Sequence, residues 1–185
     1  MTASPRLLPE LPGSPAHLLA RFFDVASAQP LNSSEREAVV QWLSPETGDI
    51  FFAQGVADQR HGYHAALTVV AAGVRDRDVV MAALLHDVGK RHSRLGIVGR
   101  SVASMLILLG LPLTDRMQAY RDHGMLAARE LAGLSVPSLV VDFAIHHHGQ
   151  RPPTIDAADW DVLVAADQPA KPWSGRSRRI TSADT

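Results

Sequence analysis

Nine histidines and no cysteine define the chemistry open to this 185-residue chain, and eight of the histidines lie between residues 61 and 148. The pair that stands out is His86-Asp87 in the stretch AALLHDVGK, residues 82–90, where an apolar run ends in an imidazole and a carboxylate side by side. Val79, Val80, Ala83 and Leu84 would be the buried face of that helix, which turns the heads of His86 and Asp87 inward on its last turn. Gly89 reads as the residue just past the helix end, at positive φ. A buried carboxylate beside a buried imidazole is costly unless something pairs with both, and a divalent cation does so. Further candidate ligands are His61, His123, His147, His148 and Asp167; together with His86-Asp87 they come from five different predicted helices. Side chains converging from facing helices are how a helical fold builds a metal site. Imidazole and carboxylate without thiolate favour a hard-to-borderline ion: Mn, Fe, Co, Ni, Zn or Mg.

The absence of cysteine excludes disulfides, thiolate zinc sites, iron–sulfur clusters and cysteine nucleophiles. Hydrophobic residues at 46% and charged residues at 20% are ordinary for a globular protein, and the length suits one domain with a real core. A formal net charge of −1 offers no basic field for nucleic acid, which makes a nucleic-acid partner an unfavoured reading. No signal peptide is evident, since prolines interrupt the N-terminus where an apolar core belongs. The expected location is cytoplasmic. The longest apolar stretch, Ser101 to Thr114, is too short to span a bilayer and reads as a buried helix. Composition does not set the oligomeric state.

The elements that must position these residues read as helices throughout. Residues 1–13 form a loose arm rich in Pro and Leu; Ser14-Pro15 opens a helix to about Ala28 with Leu18, Leu19, Phe22 and Phe23 apolar. Ser34 to Glu37 has capping-box spacing and opens a short helix, and Ser44-Pro45-Glu46 opens another. Helices are then expected over Asp58 to Ala72 with His61, over Asp76 to Leu85, and from about Arg94 to Leu109. One more starts at Thr114 or Asp115, carries His123 and ends at Gly133; the last two cover Ser138 to His148 and Asp156 to Ala166. No alternating strand pattern or repeat is present, so the fold class is all-α, a globular multi-helix fold of seven to nine helices. The organisation expected is an N-terminal arm and accessory helices over 1–57, a metal-binding domain over 58–168, and a basic, disordered tail over 169–185.

The order of these motifs resembles the HD-domain superfamily of metal-dependent phosphohydrolases, over roughly residues 58–168. DQRHGYHAA is similar to that family's first-histidine helix, ALLHDVGK to its central motif and VLVAADQ to its closing helix. YRDHGMLAARELAG and AIHHHG resemble the additional histidine segments of its binuclear branches. The resemblance implies an HD-like fold with two divalent ions, of Mn, Fe, Co, Ni or Mg, held by His61, His86, Asp87, His123, His147, His148 and Asp167. The register among His146, His147 and His148 stays open by one residue. It further implies hydrolysis of a small phosphorylated substrate, possibly a nucleotide, by a hydroxide between the metals, with Asp87 as shared ligand. Lys90 would add positive charge at the transition state, with Lys90 and Arg94 in reach of substrate phosphate. Gly149-Gln150-Arg151-Pro152-Pro153 departs from the GYP-motif branch, so cyclic-dinucleotide hydrolysis is not implied. The same ligand order also serves di-iron oxygenases of this superfamily, and a non-catalytic module that binds a nucleotide or a protein is the third reading.

Overall fold

A computed structural model of the chain describes residues 28–168. The arm, the helix expected from Ser14 and the basic tail from residue 169 lie outside the described residues. Among the described residues there are nine α-helices, one 3₁₀ turn and no strand, and no helix is long and apolar enough to cross a membrane.

The first two helices, α1 (Ser33–Val40) and α2 (Pro45–Phe52), start at capping boxes. For α2 the box is Ser44 with Thr47, with Pro45 at the first helical position, as the sequence suggested. For α1 the box is Asn32 with Glu35, two residues before the expected Ser34 and Glu37. Asn32 wins because Glu35 serves twice: it closes the box and takes both guanidinium nitrogens of Arg60, at 2.6 and 3.0 Å. Arg60 belongs to α3 (Val56–Ala71) and also donates to the carbonyls of Gln29 and Pro30.

The centre of the molecule is α4 (Arg77–Leu85), capped by Asp76 and buried at every position from Val79 to Leu85. It packs against α3, α8 (Ser138–His146) and α9 (Ala157–Asp167). Phe51, Val69, Phe143, Leu131 and Leu163 close the core around it. A helix apolar all round belongs in the middle of a helical fold. Its end therefore delivers His86 and Asp87 to the interior.

Beyond α4 the chain turns through a 3₁₀ segment, Val88–Ser93, that ends at Arg94 with φ 51°. This corrects the reading of Gly89: the left-handed position falls on Arg94, and Gly89 does not have positive φ. Gly89 is required by close approach instead. A Cβ there would sit 2.0 Å from the His123 carbonyl oxygen and 2.7 Å from the Ala127 nitrogen, in the backbone of α7 (His123–Leu131). The single helix expected from residue 114 to 133 is two, α6 (Asp115–Arg121) and α7, broken at Asp122 with φ −94° and ψ 17°.

The apolar helix α5 (Ile97–Leu108) is not buried. Ala103 is its one buried residue, while Val98, Val102, Met105, Ile107, Leu108 and Leu109 are exposed. It packs on α6 and lies at the edge of the fold. Hydrophobicity states that a stretch prefers cover; it does not state that the neighbouring helices supply it.

Candidate metal centre

Seven side chains converge where α3, α4, α7, α8 and α9 meet. His61 comes from the second turn of α3, His86 and Asp87 from the end of α4, His123 from the start of α7, His147 and His148 from just past α8, and Asp167 from the last position of α9. They fall into two groups, His61, His86, Asp87 and Asp167 in one and His123, His147 and His148 in the other, and within each group the ligand atoms lie within 4.8 Å of one another. Glycines sit at the helix crossings that allow this. A Cβ on Gly62, next to His61, would meet the Leu84 carbonyl oxygen at 2.8 Å, and one on Gly124, next to His123, would meet that of Ala144 at 2.4 Å.

Asp87 stands between the groups, and its two oxygens divide. Oδ2 lies 3.5 Å from His86 Nε2 and 3.7 Å from His61 Nε2. Oδ1 lies 3.2 Å from His123 Nε2 and 3.6 Å from His147 Nε2. Asp167 Oδ1 completes the first group, 2.9 Å from His61 Nε2 and 3.0 Å from His86 Nε2.

The outward ring nitrogens define the histidine tautomers. Nδ1 of His86, His123 and His147 each donates to the carbonyl three residues earlier, Ala83, Tyr120 and Ala144, at 2.9, 2.6 and 2.9 Å. With the proton on Nδ1, the neutral ring turns an Nε2 lone pair into the site. Such a backbone anchor is the partner metal-ligating histidines ordinarily have. The lone pairs then face other lone pairs: His123 Nε2 and His147 Nε2 are 3.3 Å apart, and both face Asp87 Oδ1. Asp87 Oδ1 is buried and accepts no hydrogen bond. A buried oxygen and imidazole lone pairs converging on one point need positive charge between them. The residues fit divalent ions, one per group, with Asp87 shared.

The electrostatics agree. Burial alone would raise the Asp87 carboxyl, but the Lys90 ammonium, then His86 and His123, outweigh it and hold the carboxyl well below the usual range. Burial is likewise overcome at Asp167 when the metal-free rings are protonated: the charge of His86, and the His61 and His86 rings then donating to it, pull its carboxyl far down. The pull of Asp87 and Asp167 exceeds the burial penalty at His86 and raises it, a sign that its group favours a cation. In the second group desolvation dominates: His147 is driven well below its usual value, with His86 adding to the effect, and His148, exposed as a residue but with its ring enclosed on the side of the site, falls to about 4 by that enclosure and by the neighbouring His123. These two rings stay neutral and available as ligands.

Other sequence candidates are placed differently. Lys90 is buried, not presented to solvent, and its Nζ donates to Asp87 Oδ2. Arg94 is exposed, and among the described residues no hydrogen bond or ion pair joins it to the site; the expectation that it reaches substrate phosphate from the ligand cluster has no contact behind it. The left-handed turn at Arg94 ends the 3₁₀ segment and leaves its side chain outside. His146 and His64 belong to neither group, and His92 pairs with Glu130 at 3.2 Å.

One feature was missed in the sequence. Asp58, one turn before His61, is buried and takes Arg100 of α5 through two bonds of 2.6 and 2.7 Å. The Arg100 guanidinium lies 6.0 Å from the Tyr120 ring, which stacks on His123 at 5.9 Å. The signal available was Arg100 as a charge next to an uncharged stretch of fourteen residues. Comparison with protein-family models, with curated proteins and with solved structures found no match to this chain.

Proposed function

We propose that this chain is a metal-dependent phosphohydrolase of the HD-domain type, acting on a phosphoester of a nucleotide or another small phosphorylated metabolite. The observation that carries the reading is the division of Asp87. One carboxylate, buried and ionised, faces two groups of imidazole and carboxylate ligands with one oxygen each, and one of those oxygens accepts no hydrogen bond. His61, His86, Asp87 and Asp167 would hold one ion; His123, His147, His148 and Asp87 would hold the other. Bound divalent ions supply Lewis-acid charge for phosphate oxygens and bring the pKa of water toward neutrality.

The chain's own residues do the rest. The backbone carbonyls of Ala83, Tyr120 and Ala144 keep the proton on the outer nitrogen of each ring, so that His86, His123 and His147 neither rotate nor change tautomer. Phe143, packed 5.8 Å from the His86 ring and 5.9 Å from that of His147, keeps water from the rear of the site. Access is from the side where ligands meet solvent: the His61 side chain is 28% exposed and that of Asp167 15%, and His148 is exposed. Lys90 carries a charge on a flexible stem beside Asp87, and a phosphoryl group with developing negative charge is a second anionic partner for it.

The test is elemental analysis of full-length protein purified without added metal or chelator, beside His86→Ala and Asp87→Ala. About two ions of Mn, Fe, Co, Ni or Mg per chain are expected, lost in both variants. Loaded with Mn²⁺ under anaerobic conditions, the protein should then release phosphate or mononucleotide from a panel of phosphoesters. Metal without hydrolysis, with two irons and a mixed-valent signal, would replace the reading by a di-iron oxygenase. No metal in any preparation would leave a binding module.

A further inference from the structure

We infer that Arg100 is a positioning residue for His123: together with Asp58 and Tyr120 it braces the second ligand group against the helix that carries the first. That His123 serves an ion rests on the function proposed above.

The three anchored histidines are not held alike. The carbonyls that accept from Nδ1 of His86 and His147 belong to Ala83 and Ala144, both buried in the core helices α4 and α8. The carbonyl that accepts from Nδ1 of His123 belongs to Tyr120, half-buried near the end of α6, a seven-residue helix with no buried residue. The helix breaks just beyond it, at Asp122. A peripheral helix of about two turns has little stability of its own and stays in place only where other contacts hold it. Yet Tyr120 meets His123 twice, through its carbonyl at 2.6 Å and through its ring, stacked at 5.9 Å with 28° between the planes.

What holds α6 lies on two sides. Arg116 donates to the Ser93 carbonyl of the 3₁₀ turn at 3.0 Å. On the other side is α5, whose one buried residue is Ala103 and which therefore needs a tie of its own. Arg100 is that tie. Its Nη1 and Nη2 donate to the two oxygens of the buried Asp58 at 2.6 and 2.7 Å, and its Nε donates to the Leu95 carbonyl at 3.1 Å. With every guanidinium nitrogen engaged the group has one orientation, 6.0 Å from the Tyr120 ring. A buried ion pair adds little net stability over apolar residues of the same volume, so fixed geometry is what this one supplies. Asp58 precedes His61 by one turn of α3, and the brace thus runs from the helix of the first ligand group to a ring of the second.

The test uses full-length protein. Asp58→Asn with Arg100→Ala removes both charges together, leaving neither buried alone, and its urea midpoint should stay close to the parent's. Without metal, at about pH 8 where imidazole is neutral, the Nδ1 proton of His123 should exchange with solvent at least tenfold faster in this double variant, read by nitrogen-correlated proton NMR. The Nδ1 proton of His86, anchored in the core, should be unchanged. Calorimetric binding of Mn²⁺ to chelator-stripped protein, with Asp167→Ala and His148→Ala marking which heat belongs to which group, should be about tenfold weaker at the His123 group and within about twofold of the parent at the His61 group. Tyr120→Phe, which keeps the ring, should match the parent; Tyr120→Leu, which keeps the ion pair and removes the stacked ring, should share the faster His123 exchange. An unchanged His123 exchange rate in both the double variant and Tyr120→Leu would overturn the inference. So would equal acceleration at His86 and His123, which would make the ion pair a general support of the fold. Faster exchange at His123 alone, in a parent that binds no Mn²⁺, would uphold the brace and remove the metal-dependent function instead.

Discussion

Gly89→Ala tests how the site is assembled without reference to any reaction. The added Cβ would lie 2.0 Å from the His123 carbonyl oxygen, 2.7 Å from the Ala127 nitrogen and 2.9 Å from the His123 carbonyl carbon, where ordinary contact starts near 3.4 Å. All three atoms are backbone, so no rotamer change relieves the clash. The start of α7 must retreat by about 1.4 Å relative to the 3₁₀ turn, the difference between those distances. Overpacking of this kind costs about 3 kcal/mol, offset by the 0.5–1 kcal/mol or so that replacing a glycine returns through the unfolded chain. The net loss of about 2 kcal/mol should lower Tm by roughly 4–8 °C in a domain of this size. Because α7 begins at His123, the same retreat pulls its ring from Asp87 Oδ1, now 3.2 Å away, and should weaken metal binding at the His123, His147 and His148 group at least tenfold. Gly48→Ala is the control, since nothing lies within 4 Å of a Cβ there and the position is helical. It should raise Tm by about 2 °C. Thermal melts and calorimetric metal titration read both variants. A Gly89→Ala protein as stable as Gly48→Ala would refute the close-approach account.

Other outcomes follow from the same geometry. Asp87→Asn strands the buried Lys90 ammonium and should cost about 3 kcal/mol in the metal-free protein, whereas Asp87→Asn with Lys90→Met should recover most of it; urea midpoints decide, and no recovery would refute the pairing. With chelator present, stability should fall as pH drops from about 6.5 toward 4. His147 and His148 have folded-state pKa values below their unfolded value, so their contribution is complete above the unfolded pKa and is lost on acidification. His86 works the other way, its contribution being complete below the unfolded value and lost as pH rises, so one raised histidine opposes two lowered ones. Metal added back at a thousandfold excess over Kd should stabilise the parent by about 4 kcal/mol, seen as a thermal shift, and leave Asp87→Asn nearly unmoved. Arg100→Ala should cost about 3 kcal/mol by leaving the buried Asp58 carboxylate unpaired, with Arg100→Ala combined with Asp58→Asn close to the parent by urea denaturation.

What the sequence determined by itself was local and compositional. Apolar periodicity, the Ser44 cap and the absence of alternation set a helical fold over the described residues, and the lack of cysteine with many histidines set the donor chemistry. That His86 and Asp87 are buried followed from an apolar run ending on them. Only the tertiary structure decided the rest, because it concerns distances between residues far apart in the chain. His61 and Asp167 are separated by 106 positions and meet at 2.9 Å. Gly89 looked like a turn residue because glycine serves both positive φ and close approach, and which one applies depends on what packs against it. Lys90 was legible as a charge near the pair, but its use by Asp87 rather than by solvent depends on a 3₁₀ turn that sequence spacing does not distinguish from a loop. The apolar helix α5 has the same ambiguity: transfer free energy is a property of its side chains, whereas burial is a property of the neighbours that the fold brings to them.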